Sequence, residues 1–197
     1  RQAGGGVLEV RVDDGPWAEG LTVQGRRARL GCYKKLKLAW LRATFDGKTA
    51  DVFCLTDHSG RGLVLDGTSA PVHAANDLEQ VALTAGTVVD YVRFFCFAVR
   101  GDSGPFIILE PPAKASAHSR PFDPPPAIAA GLGDLLATPG YTGQKKDTGQ
   151  FLVSAVVGYD KAVSSAIFGV AKDGAIEMLS DTPVRQYLPA IPLPAMP

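Results

Sequence analysis

Short runs of alternating apolar and polar residues, separated by turn-forming residues, occupy the first third of the chain. A period of two is the pattern of a strand with one buried face, and Asp-Gly or Gly-Pro after it favours a tight reversal of the chain. Such runs occupy residues 7–12, 21–30, 32–45, 50–55 and 62–65. Strands joined by short turns pair antiparallel, so this region is predicted to form an antiparallel meander.

The alternation changes phase once, inside residues 32–45. The apolar positions are first Leu36, Leu38 and Trp40, and then Leu41, Ala43 and Phe45. An extra residue in one strand of a pair produces this kind of slip, so a β-bulge is predicted near Trp40 and Leu41.

Residues 87–99 carry apolar side chains at helical spacing, with Thr87 placed as a cap and Asp90 three residues after it. The β-branched and aromatic content of this segment favours a strand instead. A helix is the preferred prediction because it would turn both Asp90 and Arg93 outward.

The composition changes after residue 110. Residues 111–150 are rich in proline and are predicted to be a long loop or linker, and residues 183–197 an extended Pro-rich tail. Between them, residues 151–182 are predicted to form three strands that complete the sheet of residues 1–110. The predicted fold is therefore a single α+β domain over residues 1–197. It has a mostly antiparallel sheet (a meander, barrel-like or sandwich), one principal helix and a Pro-rich crossing segment.

Charge and cysteine content exclude several classes. Twenty basic and twenty acidic residues give a formal net charge of zero, so the whole molecule has no electrostatic preference for nucleic acid or anionic membrane. No apolar run reaches the roughly 20 residues of a membrane span. Three scattered cysteines, with no zinc-type spacing, predict reduced core thiols, no metal or cofactor, and a cytoplasmic location. The chain begins at Arg1, which leaves a removed signal peptide open.

The string Arg100-Gly-Asp-Ser-Gly-Pro precedes an apolar run. Its Gly-Asp-Ser-Gly core resembles the nucleophile loop of trypsin-like serine peptidases. That resemblance implies Ser103 as nucleophile, His58 as its base, and Asp66 or Asp90 as the orienting acid. It covers four or five residues, and Pro105 stands where the family usually has glycine. The alternative is a plain tight turn, for which the same residue types are favoured.

A basic stretch spans residues 26–42 without a single acid. Its candidate binding residues are Arg26, Arg27, Arg29, Lys34, Lys35, Lys37 and Trp40. Cations interleaved with aromatics are typical of proteins that bind single-stranded nucleic acid or another anionic ligand. The alternative is a solvated strand face whose lysines protect a sheet edge.

No catalytic set, metal spacing or phosphate loop is complete in this sequence. We therefore predict a non-enzymatic binding or assembly module with a protein partner or self-association. A serine hydrolase and a nucleic-acid or anionic-ligand binder are the alternatives.

Overall fold

The first sheet follows the predicted meander. A computed structural model describes residues 8–9, 22–111 and 132–185. Its first five strands are β1 (Leu8–Glu9), β2 (Thr22–Arg29), β3 (Lys37–Phe45), β4 (Lys48–Thr56) and β5 (Arg61–Val64). They pair antiparallel in the order β1-β5-β4-β3-β2. Asp46 and Gly47, both with positive φ, form the two-residue turn between β3 and β4.

The predicted bulge near Trp40 and Leu41 is wrong. Strand β3 pairs with both neighbours in an unbroken register. The phase changes because this sheet carries apolar residues on both faces. Leu38 faces the main core, whereas the adjacent Ala39 is also buried, on the opposite face.

Two helices follow, α1 (Ala70–Glu79) and α2 (Val88–Ala98). The second confirms the helix predicted for residues 87–99. The prediction of one principal helix is corrected, because the described residues contain two α-helices. Helix α1 has only three buried residues, Val72, Ala75 and Asn76, and one of them is polar. Its sequence therefore shows little helical periodicity.

Short strands β6 (Arg100–Gly101) and β7 (Gly104–Pro105) form a hairpin of their own. The second sheet contains β8 (Ile107–Ile108), β9 (Gly140–Gln144), β10 (Phe151–Tyr159), β11 (Ala162–Val170) and β12 (Ile176–Arg185). Its order is β12-β11-β10, with β8 and β9 both pairing with β10. Residues 112–131 and 186–197, which hold half of the Pro-rich loop predicted for 111–150 and most of the predicted tail, lie outside the described residues. In the described half of that loop, β9 corrects the prediction of a loop or linker.

The C-terminal strands form this second sheet and do not complete the first, which corrects the sequence prediction. Helix α2 explains the separation because it is apolar on nearly all sides and contacts both sheets. The ring of Phe97 meets that of Phe53 in β4 at 4.9 Å between centroids. On the other side, the hydroxyl of Tyr91 donates to the carbonyl of Gly174, between β11 and β12.

A continuous group of buried apolar residues connects both sheets and both helices. A smaller group, Leu109, Leu132 and Val163, covers part of the opposite face of the second sheet. The fold is thus α+β with mostly antiparallel pairing, as the sequence predicts. Neither of the two helices in the described ranges is long and apolar enough to cross a membrane.

Candidate functional site

The basic stretch does not form one surface. Directly opposed residues of an antiparallel pair share a face, and successive residues alternate between faces. Arg26, Trp40 and Phe53 are opposed to one another, so they lie on the inner face, which packs against the helices. Arg29, Lys37 and Thr56 are likewise opposed, on the outer face. The register therefore divides the predicted binding residues between two sides of the first sheet.

The inner-face members surround Trp40. The guanidinium of Arg42 lies 4.7 Å from the centre of the Trp40 ring, and that of Arg26 lies 5.7 Å from it. Arg42 also donates two hydrogen bonds to Asp51, of 2.7 and 2.8 Å. These hydrogen bonds lower the pKa of the Asp51 carboxyl. The indole is thus already occupied by cations and is not an open stacking platform.

Lys34 and Lys35 lie in the loop before β3, where their backbone amides bind a carboxylate. Their amides donate to the carboxylate of Glu79 at 2.7 and 2.9 Å, and the amide of Leu36 donates to it at 2.5 Å. Consecutive amides aimed at one anion form a backbone nest. Because Glu79 ends α1, this nest fixes the loop to the helix and is already filled.

The members of the basic stretch on the outer face of the first sheet are Arg27, Arg29 and Lys37. Arg27 and Arg29 are exposed and Lys37 is half-buried. None of the three makes an ion pair within the described part of the chain. Lys34 and Lys35 are also exposed and also make no ion pair there, but only Arg27, Arg29 and Lys37 share the outer face of the sheet.

Ser103 occupies the two-residue turn between β6 and β7. Its backbone N–H donates to the hydroxyl of Tyr159 at 3.0 Å, and the Tyr159 ring stacks on Phe106 with centroids 4.4 Å apart. Gly104 has a φ of +123°, a conformation that favours glycine. These residues account for the Gly-Asp-Ser-Gly sequence as a turn packed against an aromatic pair.

The two acids proposed to orient the base of Ser103 are engaged elsewhere. Asp66 accepts from the amide and hydroxyl of Thr68, which lowers the pKa of its carboxyl. Asp90 pairs with Arg93 at 2.7 Å. His58 is exposed, in the turn between β4 and β5. Over the described residues, no hydrogen bond joins the Ser103 hydroxyl to a histidine, so no Ser-His-Asp set is assembled there.

The three cysteines are buried and unpaired. Burial raises the pKa of Cys32 and of Cys96 to about 12, and that of Cys54 in the same direction. Protonated, inaccessible thiols are poor nucleophiles and poor metal ligands. In residues 22–111 and 132–185 no group of three His, Cys, Asp or Glu side chains is arranged to hold a metal ion.

One exposed surface was not predicted from the sequence. Every residue of β12 after Ile176 is exposed, and Met178, Leu179 and Val184 are among them. The sequence does carry a signal of this exposure, because β12 mixes apolar and polar residues without regular alternation. A strand buried on one face would alternate.

Comparison with known proteins found no relative: no family model, no curated protein and no solved structure matches the chain.

Proposed function

We propose that this chain is an assembly module that associates with a second copy of itself through the exposed edge of its second sheet. The observation that carries the proposal is the composition of β12. It holds three of the five large apolar side chains exposed in the described residues, namely Met178 and Leu179 at 39% and Val184 at 49%. Exposed apolar side chains gathered on one strand mark an interaction surface, whereas single ones are ordinary.

The backbone of β12 disfavours unlimited strand addition. Register shifts against β11 leave Leu179 and Val184 as extra residues, which makes each a bulge. Pro183 has no N–H to donate, and proline is tolerated on sheet edges for that reason. Bulges and proline are devices by which edge strands avoid open-ended aggregation. A finite contact made by side chains fits this edge better than a growing sheet.

The charges of β12 favour a second copy as the partner. Glu177 lies near the start of the strand and Arg185 at its end, with Met178 and Val184 just inside them. Two copies related by a two-fold axis run antiparallel, so Glu177 of each meets Arg185 of the other. The same axis places Met178 of each copy opposite Val184 of the other and Asp181 opposite its counterpart, so two ion pairs outnumber one like-charge contact. An isologous contact requires this kind of self-complementarity.

Sedimentation equilibrium over a range of concentrations tests the proposal. The wild-type chain is expected to be in monomer–dimer equilibrium, and Met178→Lys with Val184→Lys is expected to be monomeric. Leu78→Lys is the matched control, since Leu78 is 72% exposed and belongs to α1, not to β12. Circular dichroism and urea unfolding establish that each variant is folded.

Exchanging the charges at positions 177 and 185 provides a second test of the dimer. Glu177→Arg and Arg185→Glu should each weaken the dimer, and the double variant should restore it, because the ion pairs re-form with reversed sign. A wild-type chain that stays monomeric at every concentration, or a double variant no better than either single variant, would contradict the proposal.

A further inference from the structure

The three outer-face cations, Arg27, Arg29 and Lys37, occupy one small area. Arg29 is directly opposite Lys37 in the β2–β3 pair. Such opposed residues have Cβ atoms about 5 Å apart. Arg27 lies two residues along β2 on the same face, a backbone distance of about 7 Å. Three positive charges are therefore within reach of one small molecule.

Among the described residues, no acid on this face compensates these charges. None of the residues that the register places on the outer face of β2–β5 is an aspartate or a glutamate. Like charges directly opposite one another destabilise a sheet. The inner face of the same strands shows the contrast, since Arg42 there is opposed to Asp51 and pairs with it.

A second observation on this face concerns a buried hydroxyl. Thr56 is opposite Lys37 on the outer face, is 3% exposed, and its hydroxyl has no hydrogen-bond partner among the described residues. A buried hydroxyl without a partner is costly, and most buried hydroxyls have one. An anion with several acceptor oxygens would satisfy both the charges and the hydroxyl.

The aromatics of the basic stretch do not accompany these cations. Trp40 lies on the inner face against Arg42, and Tyr33 is buried with its hydroxyl bonded to Asn76. A ligand here is therefore held by charge and hydrogen bonds and not by base stacking. The small extent of the cluster also fits a compact anion better than a nucleic acid, whose binders commonly make about 6–10 phosphate contacts.

We propose that Arg27, Arg29 and Lys37 form a binding site for a compact, multivalent phosphate group such as a diphosphate. The guanidinium groups supply planar, two-pronged donors to phosphate oxygens, and the lysine supplies a point charge. This site is independent of the β12 edge, which belongs to the other sheet.

Isothermal titration with inorganic pyrophosphate at low ionic strength tests the site. Arg29→Gln with Lys37→Gln should weaken binding about tenfold or more, the loss expected for two charge-assisted contacts. Lys34→Gln with Lys35→Gln is the matched control. It removes the same charge from the same stretch, but from the loop whose amides hold Glu79. It should bind pyrophosphate nearly as well as wild type.

Thermal unfolding separates lost binding from lost folding. Without anion, the outer-face variant should melt at or above the wild-type temperature because the repulsion between positions 29 and 37 is relieved. With pyrophosphate, only the wild type and the loop variant should gain stability. Three results would overturn the proposal: no saturable binding by the wild type, an equal loss in the loop variant, or tighter binding of a DNA duplex that both variants weaken alike.

Discussion

The hydroxyl of Tyr33 donates a 2.6 Å hydrogen bond to Oδ1 of Asn76, and this contact begins a buried chain of polar groups. The amide of Asn76 donates to the hydroxyl of Tyr91 at 2.9 Å, and that hydroxyl donates to the carbonyl of Gly174 at 2.7 Å. The chain crosses from the loop before β3, through both helices, to the turn between β11 and β12. It fixes the two sheets relative to each other with directional bonds that apolar packing alone does not supply.

Asn76→Leu should lower the free energy of unfolding by about 2–4 kcal/mol, because the change removes the acceptor of the Tyr33 hydroxyl and the donor to the Tyr91 hydroxyl and the Asp173 carbonyl. Urea unfolding at neutral pH measures the effect. Asp77→Leu is the control at the next, exposed position of α1. Similar losses in the two variants would mean that helix propensity, and not the buried network, explains the change.

Gly174→Ala should destabilise the chain more than Gly47→Ala. Both glycines have positive φ, +84° and +70°, so both substitutions strain the backbone. A Cβ at position 174 would also meet the side chain of Asn76 and the hydroxyl of Tyr91, whereas one at position 47 meets nothing within 4 Å. The difference between the two variants in urea unfolding therefore measures the close packing around the network. Equal losses of unfolding free energy in the two variants would show that backbone strain accounts for all of the destabilisation.

The sequence predicted local structure well and long-range relationships poorly. Helix α2 and the antiparallel strands follow from periodicity. Helix α1 was missed because Asn76, one of its three buried residues, is polar and is satisfied by residues 43 and 15 positions away. No local pattern reveals such partners.

The basic stretch shows the same limit at the candidate site. Strand alternation alone could have separated Arg26 from Arg27, because neighbouring strand residues face opposite sides. It could not have predicted that Glu79 binds the amides of Lys34 and Lys35 across more than 40 residues. The composition therefore indicated an anion-binding surface, while the pairing register decides which of its cations share a face.

The Arg42–Asp51 pair should make stability depend on pH. The pKa of Asp51 is lowered in the folded protein by the hydrogen bonds from Arg42. Because the folded pKa lies below the unfolded value of about 3.9, the stabilisation is complete above that value. It is lost as the pH falls through the folded pKa. Asp51→Asn should therefore be less stable than wild type at pH 7, and the gap should close under acid conditions.

Urea unfolding from pH 7 down to pH 2.5 measures that gap. Asp46→Asn is the control, because Asp46 lies in the turn of the same hairpin and makes no ion pair in the described part of the chain. A gap for Asp51→Asn that stays constant with pH would show that the pair contributes through packing and not through charge.

Gly101, and not Ser103, should be the sensitive position of the β6–β7 hairpin. A Cβ at position 101 would lie 2.5 Å from the Tyr159 hydroxyl and 3.0 Å from its ring, so Gly101→Ala forces the ring off Phe106. A cost of about 1–3 kcal/mol is expected for such overpacking. Ser103→Ala keeps the backbone N–H that bonds to Tyr159 and should change stability by at most about 0.5 kcal/mol.

A fluorophosphonate should not label Ser103, because no base activates its hydroxyl within the described residues. Labelling that mass spectrometry assigns to Ser103, and that His58→Ala abolishes, would replace the turn interpretation with the hydrolase.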